Sequence, residues 1–309
     1  MQLFFRPTEN KYEGEGILPH GTFNNTNDWN PLIKYLEKGA IEFPDKTMFK
    51  MGDGNGKIIE QFTYKETNQR ANQIANYLIE NCSIQSEDKI GIFMLNSSEF
   101  VFSILATHKT GAIQVPVNKD EKGERLLYVI NYSEMKVLII DKSAIDLIEP
   151  IASKFENLER IFISGSEGSI PSSLGNINCE KFESFNNGSI DNPDIELTIA
   201  NKERCMFTSG TTGMPKGVVR EHGGVLMTVR SYIQHQGIRS DDTLMSVLSL
   251  GHANAQAMCL FAAIGAGCTA VFFPKFSASN FWKWAHDCGA TVTNFLGAVA
   301  EYLWSAKPS

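Results

Sequence analysis

The chain has 309 residues, a formal net charge of −7, 42% hydrophobic side chains and six cysteines. That length and apolar content suffice for substantial cores and two subdomains, while the acidic balance argues against nucleic acid or an anionic membrane surface as partner, since both demand clustered Lys and Arg. The cysteines, at 82, 179, 205, 259, 268 and 288, form no C-x-x-C pair and have no histidine at metal spacing, so they read as free buried thiols of a reducing, cytoplasmic compartment, without disulfides or a zinc site.

In chain order, residues 1–7 lack the basic start and long apolar core of a secretion signal. Residues 28–43 predict a helix, with Ile33, Leu36, Glu37 and Ala40 at helical spacing. Gly52-Asp53-Gly54-Asn55-Gly56 predicts a hairpin tip between runs at 47–51 and 57–62. Thr63 with Glu66 three residues on is a capping box, and Ala71, Ile74, Ala75 and Leu78 make the buried stripe of the helix it opens. His108 and Lys109, at the end of a further helix, read by composition as solvated residues. Asp120, Glu121 and Glu124 stand at the start of a predicted helix, where the macrodipole favours them.

Short apolar runs begin near Ile90, Ile113, Val137 and Ile161, and again near Cys205, Leu244, Thr269 and Val292. Separated by helical patterns at a spacing of about two dozen residues, they predict βα units of parallel sheets. The expected fold is α/β, with two doubly wound, mostly parallel sheets flanked by helices. An N-terminal extension and first subdomain would occupy residues 1–190 and a second subdomain 191–309, joined through the Ser-, Gly-, Asn- and Pro-rich stretch 164–194. The longest apolar stretch, 258–273, is shorter than the roughly 20 residues of a spanning helix, and Gly265 and Gly267 divide it into a helix end and a strand.

The run Met206-Phe207-Thr208-Ser209-Gly210-Thr211-Thr212-Gly213-Met214-Pro215-Lys216-Gly217 reads as an anion cradle on a strand-to-helix turn. Apolar Cys205 to Phe207 would end a buried strand, small residues would leave backbone N–H groups and hydroxyls free for phosphate oxygens, and Lys216 would add a cation. It is not the common phosphate loop G-x-x-x-x-G-K-[ST]. Counting from Gly210, Pro215 stands where the second Gly belongs and Gly217 where a magnesium-binding Ser or Thr would be.

Residues 208–217 resemble the signature of the adenylate-forming superfamily, which joins a carboxylate to ATP as an acyl-adenylate. Phe62-Thr63-Tyr64-Lys65-Glu66 resembles its opening motif, although Thr67 replaces the usual Leu. Residues 105–118, from Leu105-Ala106-Thr107 to Val117-Asn118, resemble its next, structural block. Downstream, His252-Ala253-Asn254-Ala255-Gln256, Phe273-Pro274-Lys275-Phe276 with Ser277 to Trp282, Gly289-Ala290-Thr291 and Phe295-Leu296-Gly297-Ala298 are similar to the crotonobetaine/carnitine-CoA ligase-like branch of acyl-CoA synthetases. Ser249 and Gly251 depart from the Pro and aromatic usual ahead of the histidine.

The resemblance implies an AMP-forming acid–thiol ligase that uses ATP, Mg2+ and coenzyme A on a small organic carboxylic acid of fatty or carnitine type. It implies phosphate-binding roles for Thr208, Ser209, Gly210, Thr211, Thr212, Gly213 and Lys216. Lys216 and His252 are the implied catalytic residues, with Asn254, Gln256 and Gly297 beside His252 at the acid and no residue assigned to metal. By composition alone, a lone histidine between apolar runs would be structural; the flanking match moves His252 to the substrate. Family members continue well past this point, so an N-terminal portion is expected, inactive alone, with its second subdomain truncated and exposed to self-association or to a separate C-terminal half. Two alternatives remain: adenylation for another acceptor such as a carrier protein, and a non-catalytic nucleotide-binding or interaction remnant.

Overall fold

The computed structural model describes residues 29–165, 168–208 and 213–305. The readings of residues 1–7 and of the start of the first helix fall outside them. Helix α1 (Leu32–Glu42) begins at Leu32, because Pro31 disfavours a helical conformation for the residue before it. β1 (Thr47–Gly52) and β2 (Ile58–Thr63) form the expected hairpin. α2 (Tyr64–Cys82) opens with the capping box: Thr63 Oγ1 accepts from Glu66 N–H at 3.1 Å and Glu66 Oε2 from Thr63 N–H at 2.8 Å. Ala71, Ile74, Ala75 and Leu78 are fully buried beneath it.

β3 (Lys89–Phe93), α3 (Ser98–Thr110), β4 (Ile113–Pro116), α4 (Gly123–Ser133), β5 (Val137–Asp141), α5 (Ile145–Ile148), β6 (Arg160–Ser164), β7 (Ser173–Leu174) and β8 (Ile177–Lys181) follow. After β9 (Lys202–Thr208) and β10 (Lys216–Glu221) come α6 (His222–Gln236), β11 (Thr243–Ser246) and a helical stretch of three parts: α7 (Ala253–Ala255), a π-helical turn (Gln256–Phe261) and α8 (Ala262–Ala266). β12 (Thr269–Phe272), α9 (Phe281–Asp287), β13 (Val292–Thr293) and α10 (Gly297–Ser305) complete the order. Each of the eight apolar runs read from the sequence is a strand. Gly267 caps α8 in the left-handed region at φ +67 and releases the chain into β12, and among the described residues no helix is long and apolar enough to cross a membrane.

Two mixed sheets result. One has the order β10-β9-β4-β3-β5-β6-β8-β7 and the other β13-β11-β12-β1-β2. Neighbours are parallel except in the β1–β2, β7–β8 and β9–β10 pairs. The chain starts in the second sheet, passes into the first for β3 to β10 and returns for β11 to β13, so sheet membership does not change at residue 190. The early hairpin is held by β12, with Phe49 opposite Ala270, and the late strand β9 by β4, with Arg204 opposite Gln114. The stretch 164–194 is more than a connection, for it supplies β7 and β8 to the first sheet. Its end is stitched to α2, where Asn72 Nδ2 donates to Ile190 O at 2.7 Å and Asn76 Nδ2 to Ser189 O at 2.8 Å.

One continuous core joins the sheets, with Phe49, Phe100, Leu260, Phe261 and Phe272 all fully buried in it. The Tyr64 hydroxyl, buried in the same layer, donates to the carbonyls of Ala263 at 2.9 Å and Cys268 at 2.8 Å, tying α2 to α8. All six cysteines are free thiols, with Cys179 and Cys205 half-buried and the others buried. Burial pushes the Cys82 thiol up to about 11, which keeps it protonated and inert.

Candidate active site

β9 and β10 pair antiparallel, with Thr208 opposite Lys216, Met206 opposite Val218 and Arg204 opposite Arg220. The two strands therefore make a hairpin. The strand-to-helix turn expected here is corrected: α6 starts at His222, only after β10. β-branched Val218 and Val219 favour an extended strand directly after the loop, which the phosphate-loop analogy does not anticipate. Ser209, Gly210, Thr211 and Thr212 lie outside the described residues. Thr208, Gly213 and Lys216 are exposed, and open space surrounds the position of a Gly213 Cβ. Cys205, Met206 and Phe207 are half-buried rather than buried.

Side chains directly opposite each other in an antiparallel pair share a face, and the face repeats every second residue. Arg204, Met206 and Thr208 thus project together with Arg220, Val218 and Lys216. That face borders a cavity of about 400 Å³, closed on one side by Gly224, Val225 and Thr228 of α6 and on another by Ala253, Asn254, Ala257 and Met258. The π-helical turn carries Ala257 and Met258. A second recess of about 550 Å³ continues along α6 past Ser231, Tyr232 and His235 and shares Arg220, Gly224, Thr228 and Met258 with the first.

Sequence reading placed four residues at the acid, and the structure separates them. His252 is exposed and stands at the N-terminal boundary of α7, its backbone N–H donating to Ser249 O at 3.0 Å. Asn254, two residues on, lines the cavity, and its Oδ1 accepts a short hydrogen bond from Asn294 Nδ2. Gly297 is exposed at the start of α10, beyond the residues that line the cavity. Gln256 is corrected from a substrate contact to an interior brace: fully buried, its Oε1 accepts from Arg204 Nη1 at 2.9 Å and its Nε2 donates to Leu250 O at 2.7 Å.

Behind the cavity lies a buried polar cluster that sequence reading missed. Glu203, 1% exposed, has Oε1 3.0 Å from His108 Nε2 and Oε2 3.2 Å from Arg204 Nε. The His222 ring stands edge-on to His108 with centroids 5.3 Å apart. Burial alone would push the Glu203 carboxyl up, yet His108 and Arg204 hold it below its ordinary range. Burial, with His108 beside it, pushes His222 down to about 3, so the ring is neutral. His108 and Lys109 are therefore corrected from solvated residues to buried ones. Lys109 Nζ lies 2.7 Å from Glu37 Oε1, and burial lowers it to about 8 against the pull of that carboxylate. The signal was present in α3, which is apolar from Phe100 to Ala106 except for Ser103; such a helix is buried all round.

Among the described residues no group of three or more His, Cys, Asp or Glu side chains is placed to hold a metal ion.

Comparison with known proteins identifies the family and the fold. Residues 36–309 match the family described as AMP-binding enzyme. The chain is 27% identical over 282 residues to the crotonobetaine/carnitine–CoA ligase of Proteus mirabilis, covering 91% of this chain and 52% of that protein. It is 31% identical over 277 residues to the medium/long-chain-fatty-acid–CoA ligase FadD6 of Mycobacterium tuberculosis, covering 87% and 43%. In three dimensions it resembles the anthranilate CoA ligase AuaEII in complex with anthranoyl-AMP, with a TM-score of 0.80 at 22% identity over 90% of this chain and 52% of the other. It also resembles the N-terminal domain of FACL13 from Mycobacterium tuberculosis, with a TM-score of 0.75 at 22% identity, over 90% and 66%. The chain spans about half the length of the curated relatives it matches. On the family match across nearly its whole described length, the chain belongs to the AMP-binding enzyme family.

Proposed function

We propose that this chain supplies the phosphate-binding and acid-binding portion of an ATP-dependent, AMP-forming acyl-CoA synthetase. One observation carries the reading: Thr208 and Lys216 face each other in register at the open end of the β9–β10 hairpin, on the same face as the cavity. Thr208 and Lys216 are both exposed; the Thr208 hydroxyl donates a long 3.5 Å hydrogen bond to Lys216 O, which a phosphate oxygen would replace. Among the described residues Lys216 has no carboxylate partner holding it elsewhere.

In the reaction, a carboxylate in the cavity attacks the α-phosphorus of ATP and pyrophosphate departs. Lys216 opposes the negative charge on the leaving group, and Thr208 with the loop that follows orients it; such contacts act through position and electrostatics. Magnesium would neutralise the triphosphate charge. The donor set fits that limited role, because Mg2+ is bound mainly by phosphate oxygens and water and needs no dedicated protein cage. Asn254 on the cavity wall and His252, two residues before it, are assigned to the acid, and the acyl group would pass to the thiol of coenzyme A.

The test is titration of the 309-residue chain with MgATP, following backbone amide resonances. Shifts at Thr208, Gly213 and Lys216, lost in Lys216→Ala, support the reading. Shifts confined elsewhere, or an affinity unaltered in Lys216→Ala, overturn it.

A further inference from the structure

Arg204 and Arg220 are directly opposite each other in the β9–β10 pair. Like charges at such positions repel and destabilise a sheet, so a partner for them is wanted on that face. Arg204 is 5% exposed, with Nε against Glu203 and Nη1 on Gln256. Of five guanidinium donors, those contacts leave the remainder at the cavity wall, to which Arg204 contributes. Arg220 borders both recesses, and among the described residues no carboxylate pairs with it. Neither recess is lined by any Asp or Glu, whereas the second adds His235.

We infer that the acid taken by this chain carries a second anionic group, a dicarboxylate being the simplest case, whose far end is received by Arg204 and Arg220. The inference rests on the synthetase reading above and narrows it. The Thr208–Lys216 pair, which holds the departing pyrophosphate, lies four residues along the strand from the Arg204–Arg220 pair, about 13 Å at the rise of an extended strand, and the reacting carboxylate at the α-phosphorus falls between the two pairs. The arginine side chains shorten that gap, so a chain of several methylenes between the two carboxylates suits the space. The buried pair Glu203–Arg204, braced by Gln256, fixes one guanidinium in place. Arg220 on the rim closes over the same group. A trimethylammonium acid, such as the carnitine named for the Proteus mirabilis relative, would meet two arginines and no counter-charge there.

The experiment uses the 309-residue chain and calorimetric titration with adipate, suberate, hexanoate and carnitine, each with and without MgATP. Adipate or suberate should bind at least tenfold more tightly than hexanoate, and carnitine weakest. Arg220→Gln, an exposed position whose change should leave the melting temperature unaltered, should bring the dicarboxylates within threefold of hexanoate, with Arg220→Lys in between. MgATP binding should be the same in all three proteins. Hexanoate binding as well as the dicarboxylates, dicarboxylate affinity unmoved by Arg220→Gln, or no dicarboxylate binding where MgATP binds would overturn the inference. If the dicarboxylate preference holds but MgATP does not bind, the anion site stands and the synthetase reading falls.

Discussion

His108 Nε2 lies 3.0 Å from Glu203 Oε1, with both side chains 1% exposed, so the last turn of α3 and β9, the strand that ends at Thr208, are joined through buried polar groups. Glu203 also holds Arg204, which reaches the cavity wall. A contact that fixes α3 to β9 therefore fixes one wall of the site as well.

Removing one partner of a buried charge pair leaves the other uncompensated, at a cost of about 3–5 kcal/mol. Glu203→Gln should lose stability of that order, read as a lower urea midpoint with an unchanged slope. Glu203→Gln combined with Arg204→Gln should recover part of the loss, since neither charge is then left alone. A single-variant loss under about 1 kcal/mol, within the ordinary range for point changes, would show the cluster to be uncoupled.

Acid should destabilise the fold through the same cluster. His222 has an ordinary value of 6.5 and about 3 in the folded chain, so between these the unfolded state binds more protons and stability falls as pH is lowered. The lowered Glu203 carboxyl acts in the same direction: its contribution is present above its unfolded value and is lost as pH falls through the folded one. Urea midpoints measured from pH 7 down to pH 4 should therefore decline, and His222→Gln should flatten the decline. An equal slope in wild type and variant would remove His222 from the account.

Lys216→Ala should weaken MgATP binding by one to two orders of magnitude, since a hydrogen bond to a charged group contributes about 1.5–3 kcal/mol. Its thermal midpoint should not change, because the side chain is exposed. His252→Ala should likewise leave stability within about 0.5 kcal/mol, as exposed substitutions do, while lowering affinity for the acid more than for MgATP. A substantial fall in melting temperature would mark His252 as structural.

The aromatic residues around α9, β13 and α10 present an exposed surface. Trp282 is 51% exposed, Leu296 53%, Tyr302 64% and Trp304 90%. Phe281 is in ring contact with Trp282, Phe276 and Phe295, and Phe276 reaches Tyr302. Exposed apolar surface on neighbouring elements promotes association, so light scattering should show mass rising with concentration, and Leu296→Lys with Trp304→Glu should suppress the rise. A monodisperse monomer at all concentrations would refute this.

Local rules made much of the molecule legible. Capping chemistry at Thr63 and Glu66 marked the start of α2, short apolar runs marked eight of the strands, and Gly267 marked the break between α8 and β12, because each signal acts over a few neighbouring residues. The stretch 208–217 reads as an anion cradle through features just as local, small residues and one cation. What the sequence did not reveal depends on contacts between distant segments. Strand order sent β9 beside β4 and the early hairpin beside β12, and it turned an expected strand-to-helix turn into a hairpin. Packing of α3 on all sides buried His108 against Glu203 and Lys109 against Glu37, where charge partners 95 and 72 positions away offset the loss of water. Only the antiparallel register set Arg204 opposite Arg220, and only the tertiary fold turned Gln256 inward to hold one of them, because a side chain's face and partners are fixed by what its backbone pairs with.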